Sequence, residues 1–242
     1  MSDDRPIDQP SVARRTVRSY VVRAGRTTAA QERALVELWP QYGVEFSSAP
    51  LDLDQLFGRT APRMIEIGFG AGEALLAFAQ AHPDIDCIGV EVHQAGVGHL
   101  LLDAHAAGVA NLRIISHDVV EVLRQQLAPA SISTAHIFFP DPWPKKRHHK
   151  RRLIQPAFVE LLARAMTEAG TLRLATDWEP YASQMREVLD ASIAFANVAG
   201  EEGFVARSTE RPLTRFERRG QRMGHGVWDL CYRRLGAVSG LR

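Results

Sequence analysis

Cysteine is scarce in this sequence, and that scarcity argues against a fold held together by disulfide bonds. Cys87 and Cys231 are its two cysteines, and both lie in apolar runs typical of strands. We interpret them as reduced core residues, with a disulfide as the less favoured alternative. The chain also lacks a run of about 18 apolar residues, which a membrane helix needs. The segment Met1–Pro6 lacks the apolar stretch of a secretory signal. The sequence therefore predicts a cytoplasmic globular protein.

A strong net charge is also missing, but the charges are unevenly distributed. The formal net charge is +1, from 29 Lys and Arg against 28 Asp and Glu. Positive residues gather in three clusters, near the start, in the middle and near the end of the chain: Arg14, Arg15, Arg18, Arg23 and Arg26; Lys145–Arg152; and Arg211, Arg215, Arg218, Arg219 and Arg222. Three such clusters together favour a face that binds nucleic acid. The alternative is a set of solvated loops.

The length of the chain fits one large domain with a short extension. Residues 1–27 are polar, rich in Arg and poor in large apolar residues, which predicts a flexible basic N-terminal arm. Residues 28–242 are predicted to form the main domain. Thr27-Thr28 can cap a helix over Gln31–Leu38, and a short helix is expected at Leu53–Phe57.

From Pro62 onward, short apolar strands alternate with helices. The predicted strands are Met64–Ile67, Asp86–Glu91, Asn111–Ile115, Thr134–Phe139, Gly170–Ala175, Ile193–Val198 and Val227–Arg234. The predicted helices are Glu73–Ala81, His93–Ala107, Val119–Leu127, Leu153–Thr167 and Glu179–Ser192. This alternation predicts an α/β fold, with a mostly parallel seven-stranded sheet and helices on both faces. A long basic insertion separates the last two strands, which predicts an antiparallel strand near the C-terminus.

A glycine-rich loop follows the first strand of this pattern. Gly68, Gly70 and Gly72 let the chain turn at the carboxyl end of a strand, where open α/β sheets bind ligands. The dinucleotide fingerprint is Gly-x-Gly-x-x-Gly, and Glu73 occupies its third glycine position here. A glutamate at that position would repel a pyrophosphate. The loop therefore favours a ligand without phosphates over NAD.

Four acidic residues lie at or just beyond the ends of the first four predicted strands. Glu66 precedes the glycines, Glu91 ends the second strand, and Asp118 and Asp141 follow the third and fourth. Glu91 is placed to accept both ribose hydroxyls of a nucleoside, and Asp118 to hold an adenine amino group. Such a pocket suits a cationic nucleoside, and S-adenosylmethionine carries a sulfonium and an ammonium group. Alternatively, Glu91 is a surface acid and Asp118 caps the next helix.

The stretch His136–Arg152 combines a carboxylate, an aromatic ring and dense positive charge. Prolines at positions 140, 142 and 144 must end the strand and restrict the backbone on both sides of Asp141. Trp143 either stacks on a base or packs beneath the loop. A basic run that would hold phosphates follows: Lys145, Lys146, Arg147, His148, His149, Lys150, Arg151 and Arg152. His148 and His149 have no third ligand at a sensible spacing, so zinc is not expected.

Four motifs together resemble the bacterial tRNA (guanine-N7)-methyltransferases. They are Glu66-Ile-Gly-Phe-Gly-x-Gly, Gly89-Val-Glu91, Phe139-Pro-Asp-Pro-Trp-Pro-Lys-Lys-Arg-His-x-Lys-Arg-Arg and Thr214-Arg-Phe-Glu217. The Pro-Asp-Pro-Trp-Pro-Lys segment is highly specific, whereas many methyltransferases share the glycine loop. The resemblance implies a Rossmann-like class I methyltransferase fold, S-adenosylmethionine as methyl donor and tRNA as substrate. It also implies that the product is 7-methylguanosine at the variable-loop guanosine, position 46 in tRNA numbering.

The resemblance further implies roles for individual residues. Cofactor contacts are expected from Glu66, Glu91, Asp118 and Asp141, beside the glycine loop. Substrate contacts are expected from Lys145, Asp177, Thr214, Arg215, Phe216 and Glu217, and RNA contacts from Arg147–Arg152. On its own residues, Asp177 could equally cap the helix that begins near Glu179. The segment Thr214–Glu217 by itself shows only a charged helix or loop.

Asp141 is the candidate catalytic residue. Guanine N7 carries an in-plane lone pair and no proton, so its attack on a sulfonium methyl group needs no base. The reaction moves positive charge onto the purine, and a nearby carboxylate would stabilise that charge and orient the ring. Asp141-Pro-Trp-Pro also departs from the Asn/Asp-Pro-Pro-Tyr/Phe signature of amino methyltransferases, which favours a ring nitrogen as the target. Two alternatives stay open: a methyltransferase of a small acidic metabolite, and a non-catalytic RNA-binding protein on a relict fold.

Overall fold

The computed structural model describes residues 27–209, 211–213, 217 and 226–236, and one mixed sheet organises them. Within this part of the chain the sheet has eight strands: β1 Gly43–Val44, β2 Arg63–Ile67, β3 Asp86–Val90, β4 Leu112–Ile115, β5 Ile132–Phe138, β6 Met166–Thr176, β7 Phe195–Asn197 and β8 Trp228–Arg234. Their spatial order is β1-β4-β3-β2-β5-β6-β8-β7. Strands β1 to β6 pair in parallel, and β8 runs antiparallel to both of its neighbours.

This topology confirms the predicted α/β fold with an antiparallel strand near the C-terminus. The predicted strands correspond to β2 to β8. The additional strand, β1, is two residues long and pairs Gly43 with Ile114 of β4 at the edge of the sheet. Two residues are too few to show a sequence periodicity, so this strand could not be predicted. The predicted basic arm, apart from residue 27, lies outside the described residues, as do Thr214, Arg215 and Phe216.

Helices occupy the connections between the strands. Their bounds are α1 Ala29–Glu37, α2 Trp39–Tyr42, α3 Leu53–Phe57, α4 Glu73–Ala81, α5 Gln94–Ala107, α6 Val119–Glu121, α7 Pro156–Ala165 and α8 Glu179–Asp190. A π-helical turn, Val122–Gln126, continues α6. The predicted cap of α1 is confirmed, because the Thr28 hydroxyl accepts the N–H of Gln31 at 3.2 Å. The Gln31 side chain in turn accepts the N–H of Thr28 at 2.8 Å.

Strand residues alternate between two cores, one on each face of the sheet. Ile65 and Ile88 belong to a core that includes residues of α6, α7 and α8. Met64 and Cys87 belong to a second core with residues of α1, α4 and α5. Helices therefore cover both faces, as predicted. Both cysteines are buried and free. Among the described residues, no helix has the length and apolar character needed to span a bilayer.

The strand order also fixes where a ligand can bind. Strand β2 has β3 on one side and β5 on the other, so the order of the chain reverses direction at β2. Such a reversal opens a crevice beyond the carboxyl ends of the strands. The loop after β2 contains the glycines, and the loop after β5 contains Asp141. The fold therefore brings these two sequence motifs to the same edge of the sheet.

Candidate active site

A cavity of about 290 Å³ lies at this edge of the sheet. Gly68 and Gly70 line it from the loop after β2, and Glu91 from the end of β3. His117 lines it from the loop after β4, and Asp141 from the loop after β5. The glycine loop, Glu91 and Asp141 thus form one site, which is the arrangement that the sequence motifs predicted.

The glycine loop adopts a backbone conformation that other residues rarely adopt. Gly68, Gly70 and Gly72 have φ angles of +70°, +58° and +81°. At Gly72, a Cβ atom would also lie 2.7 Å from the side chain of Leu100. A further glycine, Gly96 of α5, supports the loop from outside, because a Cβ there would lie 2.1 Å from the Gly70 carbonyl oxygen. The absence of a side chain at Gly96 therefore lets α5 approach the glycine loop. The sequence did not indicate this contact, because Gly96 lies inside an ordinary helical pattern.

The Glu91 carboxylate is buried and organises the backbone around it. One oxygen accepts the N–H of Gly70 at 2.9 Å. The other accepts the N–H groups of Val92 at 2.7 Å and His93 at 2.9 Å. A carboxylate offers about four acceptor sites, so about one remains for another donor. Glu91 can accept both hydroxyls of a ribose only if at least one of these backbone hydrogen bonds is released.

Glu66 lies on β2, beneath the glycine loop, and its carboxyl group is buried. Its Oε2 atom has no hydrogen-bond partner among the described residues. Burial raises the pKa of Glu66 to about 8. The sequence predicted a negative charge here, but at neutral pH the carboxyl group is mostly protonated unless a cation lies beside it. A buried acceptor without a partner is costly, which favours a ligand that carries a donor.

His117 and Asp118 follow one another in the loop after β4, and only His117 of the two lines the cavity. Asp118 caps α6, because its side chain accepts the N–H of Val120 at 2.9 Å. Its proposed contact with adenine stays a prediction. His117 lines the cavity and is held by Phe46, whose ring stacks on it with 3.7 Å between centroids. His117 also pairs with Glu121. Sequence reasoning missed His117, because a lone histidine after a strand carries no specific signal.

The loop around Asp141 is strained. Asp141 itself is exposed and lies between two prolines. Phe139 and Trp143, on either side, have φ angles of +52° and +42°. Left-handed backbone at a residue other than glycine costs about 1–3 kcal/mol and persists when the surrounding structure enforces it. One such restraint is the N–H of Phe139, which donates to the carbonyl of Ala175 at 2.8 Å.

Arg152 is part of this loop's support. Its side chain is buried, with 3% of its surface exposed. Its Nε donates to the carbonyl oxygen of Pro142 at 2.8 Å, and its guanidinium lies 4.8 Å from the centroid of the Tyr181 ring. This burial favours a structural role for Arg152, and its contact with RNA stays a prediction. The ring of Tyr181 is itself buried, and that burial raises the pKa of its hydroxyl.

The rest of the basic run remains at the surface. Lys145 precedes a 3-10 helix, Lys146–Arg151, in which the side chains of Lys146, Arg147 and Lys150 are exposed. His148, His149 and Arg151 are partly buried. Trp143 packs against this turn, with the Arg151 guanidinium 5.1 Å and the His148 ring 5.7 Å from its ring centroid. Within the described residues, no group of three or more His, Cys, Asp or Glu side chains could hold a metal ion.

Two predicted substrate residues, Asp177 and Glu217, have different surroundings. Asp177 follows β6 and is partly buried. The N-cap residue of α8 is Trp178, whose own side chain makes no capping hydrogen bond. The Glu217 carboxylate is buried and accepts from Arg207 at 2.8 Å and from Arg211 at 2.6 Å. In the described structure Glu217 therefore forms buried ion pairs, which the sequence did not predict.

The fold is shared with RNA methyltransferases of known structure. One is a variant of the 16S rRNA (adenine(1408)-N(1))-methyltransferase from Catenulisporales acidiphilia, determined with its cosubstrate SAM. It matches with a TM-score of 0.54 and 15% sequence identity, over 80% of this chain and 96% of that chain. At this identity the likeness shows the fold alone. It places this chain in the Rossmann-like α/β fold class.

Sequence comparison identifies the family. A family model described as "Putative methyltransferase" matches residues 60–230. The tRNA (guanine-N(7)-)-methyltransferase of Leifsonia xyli subsp. xyli is 58% identical over 218 residues, which are 90% of this chain and 96% of that protein. The protein of the same name from Stutzerimonas stutzeri is 50% identical over 97% of this chain and 100% of its own length. This chain belongs to the tRNA (guanine-N(7)-)-methyltransferase family, which confirms the resemblance seen in its motifs.

Proposed function

We propose that this protein transfers the methyl group of S-adenosylmethionine to N7 of a guanosine in tRNA, forming 7-methylguanosine. The observation that carries the proposal is the single cavity that the glycine loop, Glu91 and Asp141 line together. The exposed cations of the Lys146–Arg151 turn follow the Asp141 loop directly in the chain. Relatives of the same name at 50% and 58% identity support the tRNA substrate. The comparisons do not support the alternative of a small acidic metabolite.

The cavity and the residues beside it fit a cationic nucleoside; Glu66, Gly72 and Asp118 belong to the elements around the cavity and do not line it in the described structure. When bound, S-adenosylmethionine supplies a methyl group made electrophilic by its sulfonium. Glu66 would satisfy its unpartnered buried oxygen by accepting from the ligand's ammonium group. Glu91 would accept the ribose hydroxyls, and Asp118 would contact adenine while capping α6. The backbone of Gly68, Gly70 and Gly72 would let the ligand approach the end of β2 closely.

The substrate side of the site is open. Asp141 is exposed, so its carboxylate would orient the guanine and stabilise the positive charge that develops on it. We propose substrate contacts from Lys145, Asp177 and the segment Thr214–Glu217, and phosphate contacts from the Lys146–Arg151 turn. Glu217 would contact the substrate only on leaving its ion pairs with Arg207 and Arg211. The target would be the guanosine at position 46 of the variable loop. A tRNA substrate supports a cytoplasmic location for the enzyme.

A methylation assay tests this function directly. The protein is incubated with methyl-labelled S-adenosylmethionine and an unmodified tRNA transcript, and the RNA is digested to nucleosides. We expect label in 7-methylguanosine, and none when the transcript carries adenosine at position 46. Label at another nucleoside, or no label in RNA, would overturn the proposal. Transfer of label to small carboxylic acids would support the metabolite alternative instead.

Cofactor binding is expected to release a proton from Glu66. The pKa of this buried carboxyl group is about 8 in the described structure. A ligand ammonium favours the ionised form, so binding lowers this pKa and releases close to one proton at pH 7. The affinity should therefore rise with pH, by at most about tenfold per unit, and pass through a maximum near pH 8, above which the ammonium group of the ligand loses its proton. Calorimetric titration in buffers of different ionisation enthalpy measures the proton count.

The matched control for this experiment is Glu66→Gln, which keeps the shape of the side chain and cannot ionise. The ammonium group of the ligand titrates in both proteins, so the difference between them isolates Glu66. We expect the proton release to disappear in the variant. Equal proton release from the two proteins would show that Glu66 does not change its protonation on binding, which would contradict the prediction.

Removing exposed charge from the basic turn is expected to weaken tRNA binding. Arg147 and Lys150 are exposed, so substituting both by Ala removes two cations that would face phosphates without disturbing the core. The slope of log affinity against log salt concentration should become shallower by about 1 for every phosphate that is no longer neutralised. Filter binding at several salt concentrations measures it. Exposed Arg233 on β8 provides the control, since Arg233→Ala should leave the slope unchanged. An unchanged slope in the double variant would mean that the turn is only a solvated surface.

A further inference from the structure

Two buried guanidinium groups hold the Asp141 loop, Phe138–Trp143, from opposite ends. At its start, Arg211 lies 5.4 Å from the ring centroid of Phe138 and 5.3 Å from that of Phe139. At its end, Arg152 donates to the carbonyl oxygen of Pro142 at 2.8 Å. Each arginine has 3% of its surface exposed. These contacts therefore belong to the interior of the protein and not to its RNA-binding surface.

Each guanidinium is fixed in turn by other elements of the fold. Arg211 donates to Glu217 at 2.6 Å and to both carboxylate oxygens of Asp229, on β8, at 3.0 Å. Burial raises the pKa of Asp229, and the adjacent charge of Arg211 opposes this rise. Arg152 lies over the ring of Tyr181, on α8. The Tyr181 hydroxyl accepts the N–H of Ile154 at 3.2 Å, which fixes the ring.

We infer that Arg152 and Arg211 are positioning residues that hold the Asp141 carboxylate in the geometry needed for methyl transfer. The inference rests on the proposed function, in which Asp141 orients the guanine. Neither arginine lines the cavity, so both act through the loop. The planar guanidinium suits this task because it can pack face-on against a ring while its edges donate hydrogen bonds.

The strain in the loop explains why such restraints are needed. Phe139 and Trp143 both have left-handed backbone, and the two prolines between them, at positions 140 and 142, transmit any movement from one to the other. Without its restraints the loop would relax toward a more common conformation and carry Asp141 with it. A displacement of about 1 Å can lower a reaction rate about 100-fold. The effect should appear in kcat, because the tRNA-binding cations outside the loop remain in place.

The test uses the full-length variants Arg152→Lys and Arg211→Lys. Lysine keeps the charge and the aliphatic stem, which preserves folding, but it lacks the planar group. At saturating tRNA and S-adenosylmethionine we expect kcat to fall about 10- to 100-fold, with KM for tRNA changed less than about threefold. Hydrogen exchange in peptides that cover Phe138–Trp143 should become faster. Thermal melting checks that each variant is folded.

Arg233→Lys is the matched control, since Arg233 is exposed on β8 and lies outside the loop. We expect it to leave kcat, KM for tRNA and exchange of the loop unchanged. Wild-type kcat in both Arg152→Lys and Arg211→Lys, or unchanged exchange of the loop, would overturn the inference. Hydrogen exchange reports on the loop even without turnover. A wild-type protein that fails to methylate tRNA would therefore refute the proposed function separately from this inference.

Discussion

Replacing Asp141 with asparagine is expected to lower kcat for tRNA methylation about 100- to 1,000-fold. The substitution keeps the size of the side chain and removes its charge. Methyl transfer leaves a positive charge on the guanine, and removing one electrostatic contact to a developing charge typically costs a factor of this size. The carboxylate is exposed at the rim of the cavity, so its loss should change cofactor affinity by less than about tenfold. Single-turnover rates and titration with S-adenosylhomocysteine measure the two effects.

The matched control is Asp84→Asn. Asp84 is exposed and precedes β3, at the opposite end of that strand from the site. We expect wild-type rates from this variant. If Asp141→Asn retained a rate within about threefold of the wild type, Asp141 would be a turn residue held between prolines, and its proposed role would be wrong.

Replacing Glu91 with alanine is expected to weaken cofactor binding about 100-fold or more. The substitution removes the charged acceptor proposed for the ribose, and hydrogen bonds to charged groups contribute about 1.5–3 kcal/mol each. It also deprives the N–H groups of Gly70, Val92 and His93 of their shared partner. The melting temperature should therefore fall as well, even without ligand. Titration with S-adenosylhomocysteine and thermal melting separate the two consequences.

Glu160→Gln provides a comparison, because Glu160 is exposed on α7 and does not line the cavity. It should alter neither the affinity nor the melting temperature appreciably. The opposite outcome for Glu91→Ala is a lower melting temperature with a cofactor affinity within about threefold of the wild type. That result would show that Glu91 only accepts hydrogen bonds from the backbone and does not bind the cofactor.

The position of the site could be predicted because parallel strands end at a common edge. Gly68, Glu91 and Asp141 are widely separated in sequence, but each follows or ends a strand of the same alternating pattern. The order of elements therefore places them together without any knowledge of side-chain contacts. The helix caps could be predicted for a different reason, which is that they are local. Thr28 and Asp118 each accept a backbone N–H from a residue two or three positions further along the chain.

Burial and long-range packing could not be predicted in this way. Arg152 ends a run of cations and looks like its neighbours, but Tyr181, from a later helix, covers its side chain. The stack of Phe46 on His117 likewise joins segments that are distant in sequence. The protonation of Glu66 depends on its complete enclosure by the fold. In each case the behaviour of the side chain depends on how far it is buried, and the residues that bury it lie elsewhere in the chain.

If Glu91 binds a ribose as proposed, the backbone amides around it occupy the acceptor sites that the hydroxyl groups of the ligand would take. Gly70, Val92 and His93 already satisfy this carboxylate when no nucleoside is bound. The Glu91 carboxylate is therefore oriented before the ligand binds, and it is already largely removed from bulk water. Any nucleoside that enters competes with the protein's own main chain, so the measured affinity is the difference between two sets of hydrogen bonds. A loosened amide of Gly70 would be the signature of that exchange, visible as a chemical-shift change in the glycine loop on titration.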